Sequence, residues 1–197
     1  SAAVAAGGLG LYSSPSRAAD FNLKYANNLP LIHPMNVRAR AMAKAIKEET
    51  NGVVNLQVFP SSQLGSDTDT LAQVRSGAVD MFSLSPVILG TMVPSVQISA
   101  VGFAFKDYQQ VWSAMDGALG ATLTKAIEDR VDYRIVGWLE NGFRHISNRL
   151  RPVRSPADLA GMTIRVLPSE IHKRTFALLG AVPQRLDLTE ALALIVA

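Results

Sequence analysis

The sequence contains no cysteine among its 197 residues. This absence excludes disulfide bonds, thiolate catalysis and cysteine-based zinc or iron–sulfur sites. Charged residues are sparse, at 18% of the chain, while hydrophobic residues make up 48%, a composition typical of a folded globular protein rather than of a disordered tail. At about 150 residues per domain, the chain can hold one domain and part of another.

Neither sign of charge is in large excess. Lysine and arginine number 19 and aspartate and glutamate 16, so the formal net charge is only +3. These charges are spread along the chain, whereas a nucleic-acid-binding protein usually clusters its basic residues on one face or in one stripe. We therefore expect no nucleic acid partner.

The first 19 residues differ in composition from the rest of the chain. A run of Ala, Gly, Val and Leu is followed by Ser and Pro, and then by small residues at Ser16 and Ala18, the A-x-A-like spacing that precedes a signal peptidase cut. We interpret residues 1–19 as a signal peptide remnant. The alternative is a short buried helix, which the Gly7-Gly8 pair disfavours.

No later stretch reaches the roughly 18 consecutive apolar residues that a membrane-spanning helix needs. Together with the signal-like start, this predicts an exported, periplasmic protein that does not itself span the membrane. The lack of cysteine is compatible with an oxidising compartment.

Strand-like and helix-like patterns alternate along the remaining chain, which predicts an α/β fold with a mostly parallel sheet and helices on its faces. Strands are expected at 22–26, 54–59, 79–83, 133–139 and 162–167, with a further extended segment at 143–148. Helices are expected at 34–50, 66–76, 108–115, 119–129 and 169–179, with a one-turn helix after Ser155.

Two helices carry patterns that make specific predictions. Ser66 followed three residues later by Asp69 is a helix start, so we interpret Asp67 and Asp69 as charges that complement the helix N-terminus rather than as metal ligands. In the helix at 108–115, the aromatic residues Tyr108 and Trp112 lie one turn apart, in line with Met115. This spacing predicts a stripe that packs into the core.

In parallel α/β sheets, ligands bind beyond the carboxyl ends of the strands. The loops that follow the predicted strands are therefore the places to look for a site. They are residues 27–33, 83–86, 140–144 and 165–169.

The sequence lacks the common catalytic motifs. It has no G-x-S-x-G nucleophile elbow, no H-E-x-x-H zinc motif, no phosphate-binding G-x-x-x-x-G-K loop and no G-x-G-x-x-G after a strand. The histidines at His33, His145 and His172 are far apart in sequence, which leaves a metal site unsupported. We expect no catalytic residue, no metal and no cofactor.

Arg165 lies near the end of an otherwise apolar strand, Met162 to Leu167. A charge there is costly to desolvate unless a partner neutralises it, and a planar guanidinium held on a strand suits bidentate recognition of a carboxylate. The alternatives are that Arg165 points to solvent or pairs with a structural carboxylate. Arg144, which follows a turn at 140–142, is a second candidate whose alternative is an exposed strand position.

Several motifs occur in a fixed order and together carry a family resemblance. They are TNG at 50–52, FPSSQLG at 59–65, GAVD at 77–80, WLENGFRHISN at 138–148, RPV at 151–153, SPADLAG at 155–161 and IRV at 164–166. From about Phe21 to Glu190 the chain resembles the solute-binding proteins of tripartite ATP-independent periplasmic (TRAP) transporters, DctP type. Motifs in series are far more specific than any single one.

The resemblance implies a two-lobed clamp, of the periplasmic-binding-protein type II kind, that closes on a small organic acid anion and delivers it to TRAP transporter membrane subunits. By the same resemblance, Arg165 pairs with the ligand carboxylate and Arg144 is a second ligand-facing arginine. The remaining ligand-lining positions that it implies are Asn28, His33, Ser85, His145 and Leu188.

The resemblance also implies domain limits. Residues 20–142 would form the first α/β lobe and residues 143–197 a truncated second lobe, because family members continue past the helix near Glu190 into further strands and a long helix. A periplasmic enzyme acting on an organic acid, with His33 or His145 as general base, and the ligand-sensing domain of a receptor remain alternative functions.

Overall fold

The computed structural model describes residues 19–196, so the signal peptide prediction for residues 1–19 lies almost entirely outside the described residues. The strands in that part are β1 (Phe21–Asn27), β2 (Val54–Phe59), β3 (Met81–Ser83), β4 (Thr163–Val166) and β5 (Val182–Arg185). The α-helices are α1 (Pro34–Glu49), α2 (Asp67–Ser76), α3 (Tyr108–Met115), α4 (Ala118–Glu128), α5 (Glu170–Leu178) and α6 (Leu188–Val196). Shorter 3-10 helices cover Pro86–Thr91, Pro94–Ala100 and Pro156–Leu159.

The strands form two separate parallel sheets, one of three strands in the order β2-β1-β3 and one of two strands, β4-β5. In the larger sheet, Leu23 is aligned with Leu56 of β2, and Tyr25 with Met81 of β3. In the smaller sheet, Arg165 is aligned with Gln184. The predicted α/β class with parallel strands is confirmed. In each sheet all strands end at the same edge, where a site is expected.

The start of α2 follows the capping pattern that its sequence predicts. The Ser66 hydroxyl accepts a hydrogen bond from the backbone N–H of Asp69 at 3.2 Å, and the Asp69 carboxylate accepts one from the Ser66 N–H at 3.1 Å. Gly77 ends the helix in the left-handed conformation, with φ of 77°. These local signals fix both ends of α2 without help from distant residues.

The largest apolar cluster joins α2 and α4 to the two 3-10 helices that follow β3. Ile127 of α4 is completely buried, and burying such a side chain stabilises the fold by about 1.5–3 kcal/mol. The buried members of this cluster are Leu71, Ile88, Leu89, Val93, Val96, Leu123 and Ile127. A smaller cluster of Leu159, Met162 and Ala181 supports the two-stranded sheet.

The core stripe predicted for α3 is wrong for its two aromatic residues. Tyr108 and Trp112 expose 43% and 48% of their surface, and α3 contains no buried residue. Their rings stack on each other with centroids 6.0 Å apart, and Tyr108 also contacts Phe143 at 4.8 Å. Helical spacing identifies an apolar face but does not determine what covers it, and here the aromatic residues mainly cover one another.

The strand predicted at 133–139 is also wrong, and residues 143–148 form no regular structure either. No other segment within residues 19–196 pairs with this backbone, so the ladder hydrogen bonds of a strand are not formed. Alternate side chains of the segment still face the core, since Tyr133 and Ile135 both pack on the large apolar cluster. The Tyr133 hydroxyl donates to the carbonyl oxygen of Leu71 at 3.1 Å, which holds the segment against α2.

Candidate functional site

The loop after β1 is fixed by two buried asparagines. Asn27 donates its side-chain amide to the amide oxygen of Asn36 at 2.7 Å, and Asn36 donates in return to Asn27 at 3.2 Å. The Asn36 amide also donates to the carbonyl oxygens of Leu29 and Pro30, each at 2.9 Å. This network links the end of β1 to the first turn of α1 and so sets the position of Asn28.

Asn28 contacts the first residue of α2. Its side-chain amide donates to the Oδ2 atom of Asp67 at 2.8 Å. Asp67 is only 7% exposed. Burial raises the pKa of this carboxyl group, the Asn28 hydrogen bond lowers it, and the nearby charges of Asp187 and Arg165 raise and lower it respectively. Asp67 is therefore affected by the charges of Arg165, on the smaller sheet, and of Asp187, which follows that sheet's last strand.

Arg165 lies on β4 and is partly buried. Its Nε atom donates to the carbonyl oxygen of Leu186 at 2.8 Å, just beyond the end of β5. Burial lowers the pKa of the Arg165 guanidinium, while the carboxylates of Asp67 and Asp187 raise it. Within residues 19–196 Arg165 forms no direct ion pair. One edge of the guanidinium is thus anchored, and the terminal amino groups stay available.

Arg144 brings a second positive charge to the same region. Its Nη2 atom donates to the hydroxyl oxygen of Ser85, the residue after Leu84 beyond β3, at 3.4 Å. As a whole residue Arg144 is exposed, yet burial around its guanidinium and the positive charge of Arg165 both lower its pKa. An arginine remains charged despite such a shift. Two guanidinium groups therefore repel each other here.

His172 on α5 completes the charged cluster. Burial is the main cause that lowers its pKa, and the positive charges of Arg144 and Arg165 lower it further. The sequence alone pointed to His172 only as one of three scattered histidines, and it did not point to Asp187 at all. Both residues reach the cluster through the smaller sheet and α5, and that tertiary arrangement has no local sequence signal.

The other predicted site residues lie in different settings. The Nδ1 atom of His33 accepts a hydrogen bond from the backbone N–H of Met35 at 3.2 Å, so His33 caps α1. His145 is exposed, and Leu188 is the half-buried first residue of α6. None of the contacts found in the described part of the chain joins these three residues to Arg165. They stay predictions.

A side-chain contact connects the 3-10 helix at Pro94–Ala100 to the start of α5. The amide oxygen of Gln97 accepts hydrogen bonds from the backbone N–H of Ile171 at 3.4 Å and from the hydroxyl of Ser169 at 3.5 Å. The Gln97 amide donates to the carbonyl oxygen of Gly90 at 3.2 Å. A side chain at position 90 would collide with Gln97, so glycine at this position lets the bridge form.

No metal centre is formed by the described residues. They contain no group of three or more His, Asp or Glu side chains that could hold a metal ion together. Within the same part, no helix is both long enough and apolar enough to cross a lipid bilayer. The chemistry that the cluster offers is that of paired cations, paired carboxylates and polar hydrogen-bonding groups.

Solved structures with the same architecture are TRAP periplasmic solute binding proteins. One from Sulfurospirillum deleyianum, with bound succinate, is 28% identical and superposes with a TM-score of 0.84 over 88% of this chain and 56% of its own. Another from a Polaromonas species, bound to D-erythronate, is 30% identical with a TM-score of 0.80 over 86% of this chain and 56% of its own. The expected two-lobed α/β fold is confirmed by these likenesses.

The sequence comparison gives the family. The profile of the bacterial extracellular solute-binding proteins of family 7, DctP, matches residues 25–195, and the chain belongs to this family. The predicted resemblance to TRAP solute-binding proteins is therefore confirmed.

Two relatives have similar sequence identities to this chain. The 2,3-diketo-L-gulonate-binding periplasmic protein YiaO of Escherichia coli is 28% identical over 93% of this chain and 55% of its own length. The C4-dicarboxylate-binding periplasmic protein DctP of Rhodobacter capsulatus is 29% identical over 90% and 53%. The chain thus spans about half the length of the relatives that it matches.

Proposed function

We propose that this protein is an extracytoplasmic solute receptor that binds a small organic acid anion through its carboxylate, at Arg165 and Arg144, and delivers it to a TRAP transporter membrane complex. The observation that carries this proposal is that both arginines are held by neutral oxygen atoms, Arg165 by a backbone carbonyl and Arg144 by a serine hydroxyl, and neither forms a direct ion pair within the described residues. The family of solute-binding proteins supports the same function.

The geometry of Arg165 suits this role. Because its Nε atom is engaged by the Leu186 carbonyl, the guanidinium is held in one orientation before any ligand arrives. A planar guanidinium can bind both oxygens of a carboxylate, and each charge-assisted hydrogen bond contributes about 1.5–3 kcal/mol. An anion placed between Arg144 and Arg165 also relieves the repulsion between them, which adds to the driving force for binding.

We assign the ligand specificity of the proposed site to the side chains around the two arginines. The polar side chains of Asn28, Ser85, His33 and His145 would recognise the rest of the ligand, because a polar group buried without a partner is penalised. Leu188 would supply an apolar contact. Ser85 and Asn28 are better supported than the histidines, since they contact Arg144 and Asp67, respectively.

Lobe closure is the second part of the proposed mechanism. The lobes would be residues 20–142 and 143–197, each containing one of the two parallel sheets. Asp67 acts electrostatically on Arg165, and Gln97 hydrogen-bonds to Ile171 and Ser169, so both kinds of contact cross the proposed boundary. Closure removes water from the anion, which strengthens the hydrogen bonds that hold it.

The proposed location is the periplasm, reached through a cleaved N-terminal signal, with TRAP membrane subunits as partners and no cofactor. This function requires no turnover. Incubating the full-length protein with candidate acids and searching for a product by mass spectrometry would separate it from an enzymatic function, in which the acid would be consumed.

The test is calorimetric titration of the purified full-length protein and of Arg165 variants with a panel of sugar acids and dicarboxylates. We expect Arg165→Ala to abolish measurable binding and Arg165→Lys to weaken it strongly, because lysine keeps the charge but loses the bidentate geometry. Arg151→Ala is the matched control, since the Arg151 Nε also donates to a backbone carbonyl at 2.8 Å. Unchanged affinity in Arg165→Ala would overturn the proposal.

A further inference from the structure

The sequence contains two Asn-Gly pairs, Asn51-Gly52 and Asn141-Gly142. Asparagine is a thermally labile residue, because the backbone nitrogen of the next residue can attack its side-chain amide carbon and displace ammonia. A following glycine favours the attack, since it has no Cβ atom that shields the nitrogen. In a folded protein the reaction depends on how the glycine N–H is held, and the structure holds the two glycines differently.

The Asn51-Gly52 pair lies in a hydrogen-bonded turn just after α1. The Gly52 N–H donates to the carbonyl oxygen of Lys47 at 2.8 Å, and the Asn51 N–H donates to that of Glu48 at 3.1 Å. A backbone carbonyl oxygen is too weakly basic to take up the proton that the glycine nitrogen must lose. The turn also fixes Asn51 in the left-handed conformation that ends a helix, with φ of 51°. The fold therefore protects this pair.

The Asn141-Gly142 pair lies in residues 139–148, which are all exposed and form no helix or strand. The Gly142 N–H donates to the Oε1 atom of the Glu140 side chain at 2.5 Å. The Asn141 side chain makes none of the hydrogen bonds found within residues 19–196, so it is free to rotate towards Gly142. The space around Gly142 is open, because a Cβ atom placed there would meet only the Tyr108 hydroxyl oxygen, at 3.8 Å.

Glu140 is placed to act as a general base on Gly142. A carboxylate can take up a proton from an N–H group that lies within hydrogen-bond distance, and such catalysis commonly speeds a reaction by about 100-fold or more. Glu140 is exposed and forms no ion pair in the part of the chain that the structure describes. No basic side chain there neutralises its charge, so the carboxylate remains available to the proton.

We propose that Asn141 is a site of spontaneous deamidation and that Glu140 promotes the reaction by removing the proton of the Gly142 N–H. The Gly142 nitrogen forms a bond to Cγ of Asn141, the Cγ–Nδ2 bond breaks, and the proton taken up by Glu140 leaves with the nitrogen as ammonia. Water then opens the resulting ring on either side, which gives aspartate or isoaspartate. The net reaction consumes one water molecule and releases one ammonia molecule.

The product would alter the segment that carries Arg144, an effect that rests on the proposed function. Both products add a negative charge three residues before Arg144, and isoaspartate also adds a methylene group to the backbone. The charge opposes anion binding, and the longer backbone moves Arg144 relative to Ser85, to which it donates at 3.4 Å. Deamidation would therefore lower the affinity of the receptor gradually as the protein ages.

Peptide mapping by mass spectrometry measures deamidation at both pairs after the purified full-length protein has been incubated at pH 8 for several days. We expect Asn141 to react at least about tenfold faster than Asn51 in the folded protein, because only Asn141 has a base beside its glycine N–H. In concentrated urea the two rates should become similar, since unfolding removes the contacts that distinguish the pairs. Equal rates in the folded protein, or a faster reaction at Asn51, would overturn the proposal.

Glu140→Gln tests the base directly, because glutamine has nearly the same shape but cannot take up the proton. We expect deamidation of Asn141 to slow by at least about tenfold in this variant. Glu49→Gln is the matched control, since Glu49 is an exposed glutamate two residues before Asn51, and it should leave both rates within twofold. An unchanged or faster reaction in Glu140→Gln would overturn the proposal. Thermal unfolding checks that both variants keep the fold.

Calorimetric titration of Asn141→Asp with the tightest acid checks the effect on binding separately from the chemistry. We expect its affinity to be at least threefold weaker than that of wild type, while Asn51→Asp stays within twofold. Unchanged affinity in Asn141→Asp would overturn the effect of the added charge. Failure of every acid to bind the wild-type protein would overturn the receptor function, but not the deamidation, because peptide mapping requires no ligand.

Discussion

Asn27 and Asn36 hydrogen-bond to each other in both directions through their side-chain amides, and both are almost fully buried. The pair ties the last residue of β1 to the third residue of α1. The Asn36 amide also donates to the carbonyl groups of Leu29 and Pro30, each of which accepts a backbone N–H as well. The position of Asn28 in the candidate site therefore depends on a residue that does not itself face a ligand.

Replacing Asn36 should destabilise the fold. Asn36→Ala leaves the side-chain amide donor of Asn27 buried without a partner, which costs about 1–3 kcal/mol, and it also removes the hydrogen bonds that Asn36 donates to Asn27 and to two backbone carbonyls. We expect a loss of at least about 2 kcal/mol in the free energy of unfolding, measured by urea denaturation. Asn55→Ala is the control, because it removes the exposed hydrogen bond that the Asn55 side-chain amide donates to Asn22, and it should cost less than about 0.5 kcal/mol.

The raised pKa of Asp67 predicts a pH dependence of stability. A carboxyl group whose folded-state pKa lies above its unfolded value favours folding at low pH, and this contribution is lost as the pH rises through the folded-state pKa. Burial is the main cause of the shift from the ordinary value of 3.8. We therefore expect Asp67→Asn to become more stable than wild type, progressively, as the pH rises from 3.8 towards neutrality.

Urea denaturation of both proteins at pH 4, 5, 6 and 7 measures this difference. A constant offset between Asp67→Asn and wild type at all four values would contradict the predicted desolvation of Asp67.

Exposed and buried apolar residues should differ sharply in their effect on stability. Trp112→Ala removes a surface stacking contact with Tyr108, worth about 0.5–1.5 kcal/mol. Ile127→Ala removes a completely buried side chain and should cost about 2–5 kcal/mol. Denaturation of the two variants in parallel checks the order. A larger loss for Trp112→Ala would mean that α3 is more deeply packed than its exposed surface indicates.

Gln97 should influence ligand binding without touching the ligand. Its amide oxygen accepts hydrogen bonds from Ser169 and Ile171 at the start of α5. These bonds connect the part of the chain that contains the larger sheet to the part that contains the smaller sheet. These bonds are long, so each contributes about 0.5–1 kcal/mol. We expect Gln97→Ala to weaken binding of the tightest acid by about two- to tenfold in calorimetric titration.

Gln73→Ala provides the comparison for this variant. Gln73 donates to the carbonyl oxygen of Leu64 at 2.7 Å, a contact that stays on one side of the molecule. It should therefore lower stability but leave affinity unchanged. Equal affinities for wild type and Gln97→Ala would argue against a role of this bridge in closure.

Local signals predicted most of the elements correctly. The start and end of α2 follow from Ser66, Asp69 and Gly77, which act within a few residues of one another. By contrast, β5 is not among the predicted strands, and its Pro183 cannot donate to a ladder. It is tolerated here because β5 is an edge strand that pairs only with β4. Strand pairing depends on distant segments, which also explains why residues 133–139 alternate like a strand without forming one.

The candidate site could be predicted only in part. Arg165 is predicted as a site residue because a charge in an apolar strand is costly to desolvate without a partner. Arg144 is predicted because it follows a turn. The sequence explains Asp67 locally, as a charge at the start of a helix, so it does not predict the electrostatic effect of Arg165 on Asp67. His172 and Asp187 join the cluster through tertiary packing, so no neighbouring residue pattern predicts their place in it.

The smaller sheet has only two strands, and its apolar support is the cluster of Leu159, Met162 and Ala181. Two-stranded sheets are marginally stable alone, so the amides of β4 and β5 should exchange with solvent deuterium sooner than those of β1. Because Arg165 belongs to β4, a bound anion would slow that exchange most in the sheet that opens most readily. Occupancy of the proposed anion site would then be measurable as slower deuterium exchange of the β4 and β5 amides.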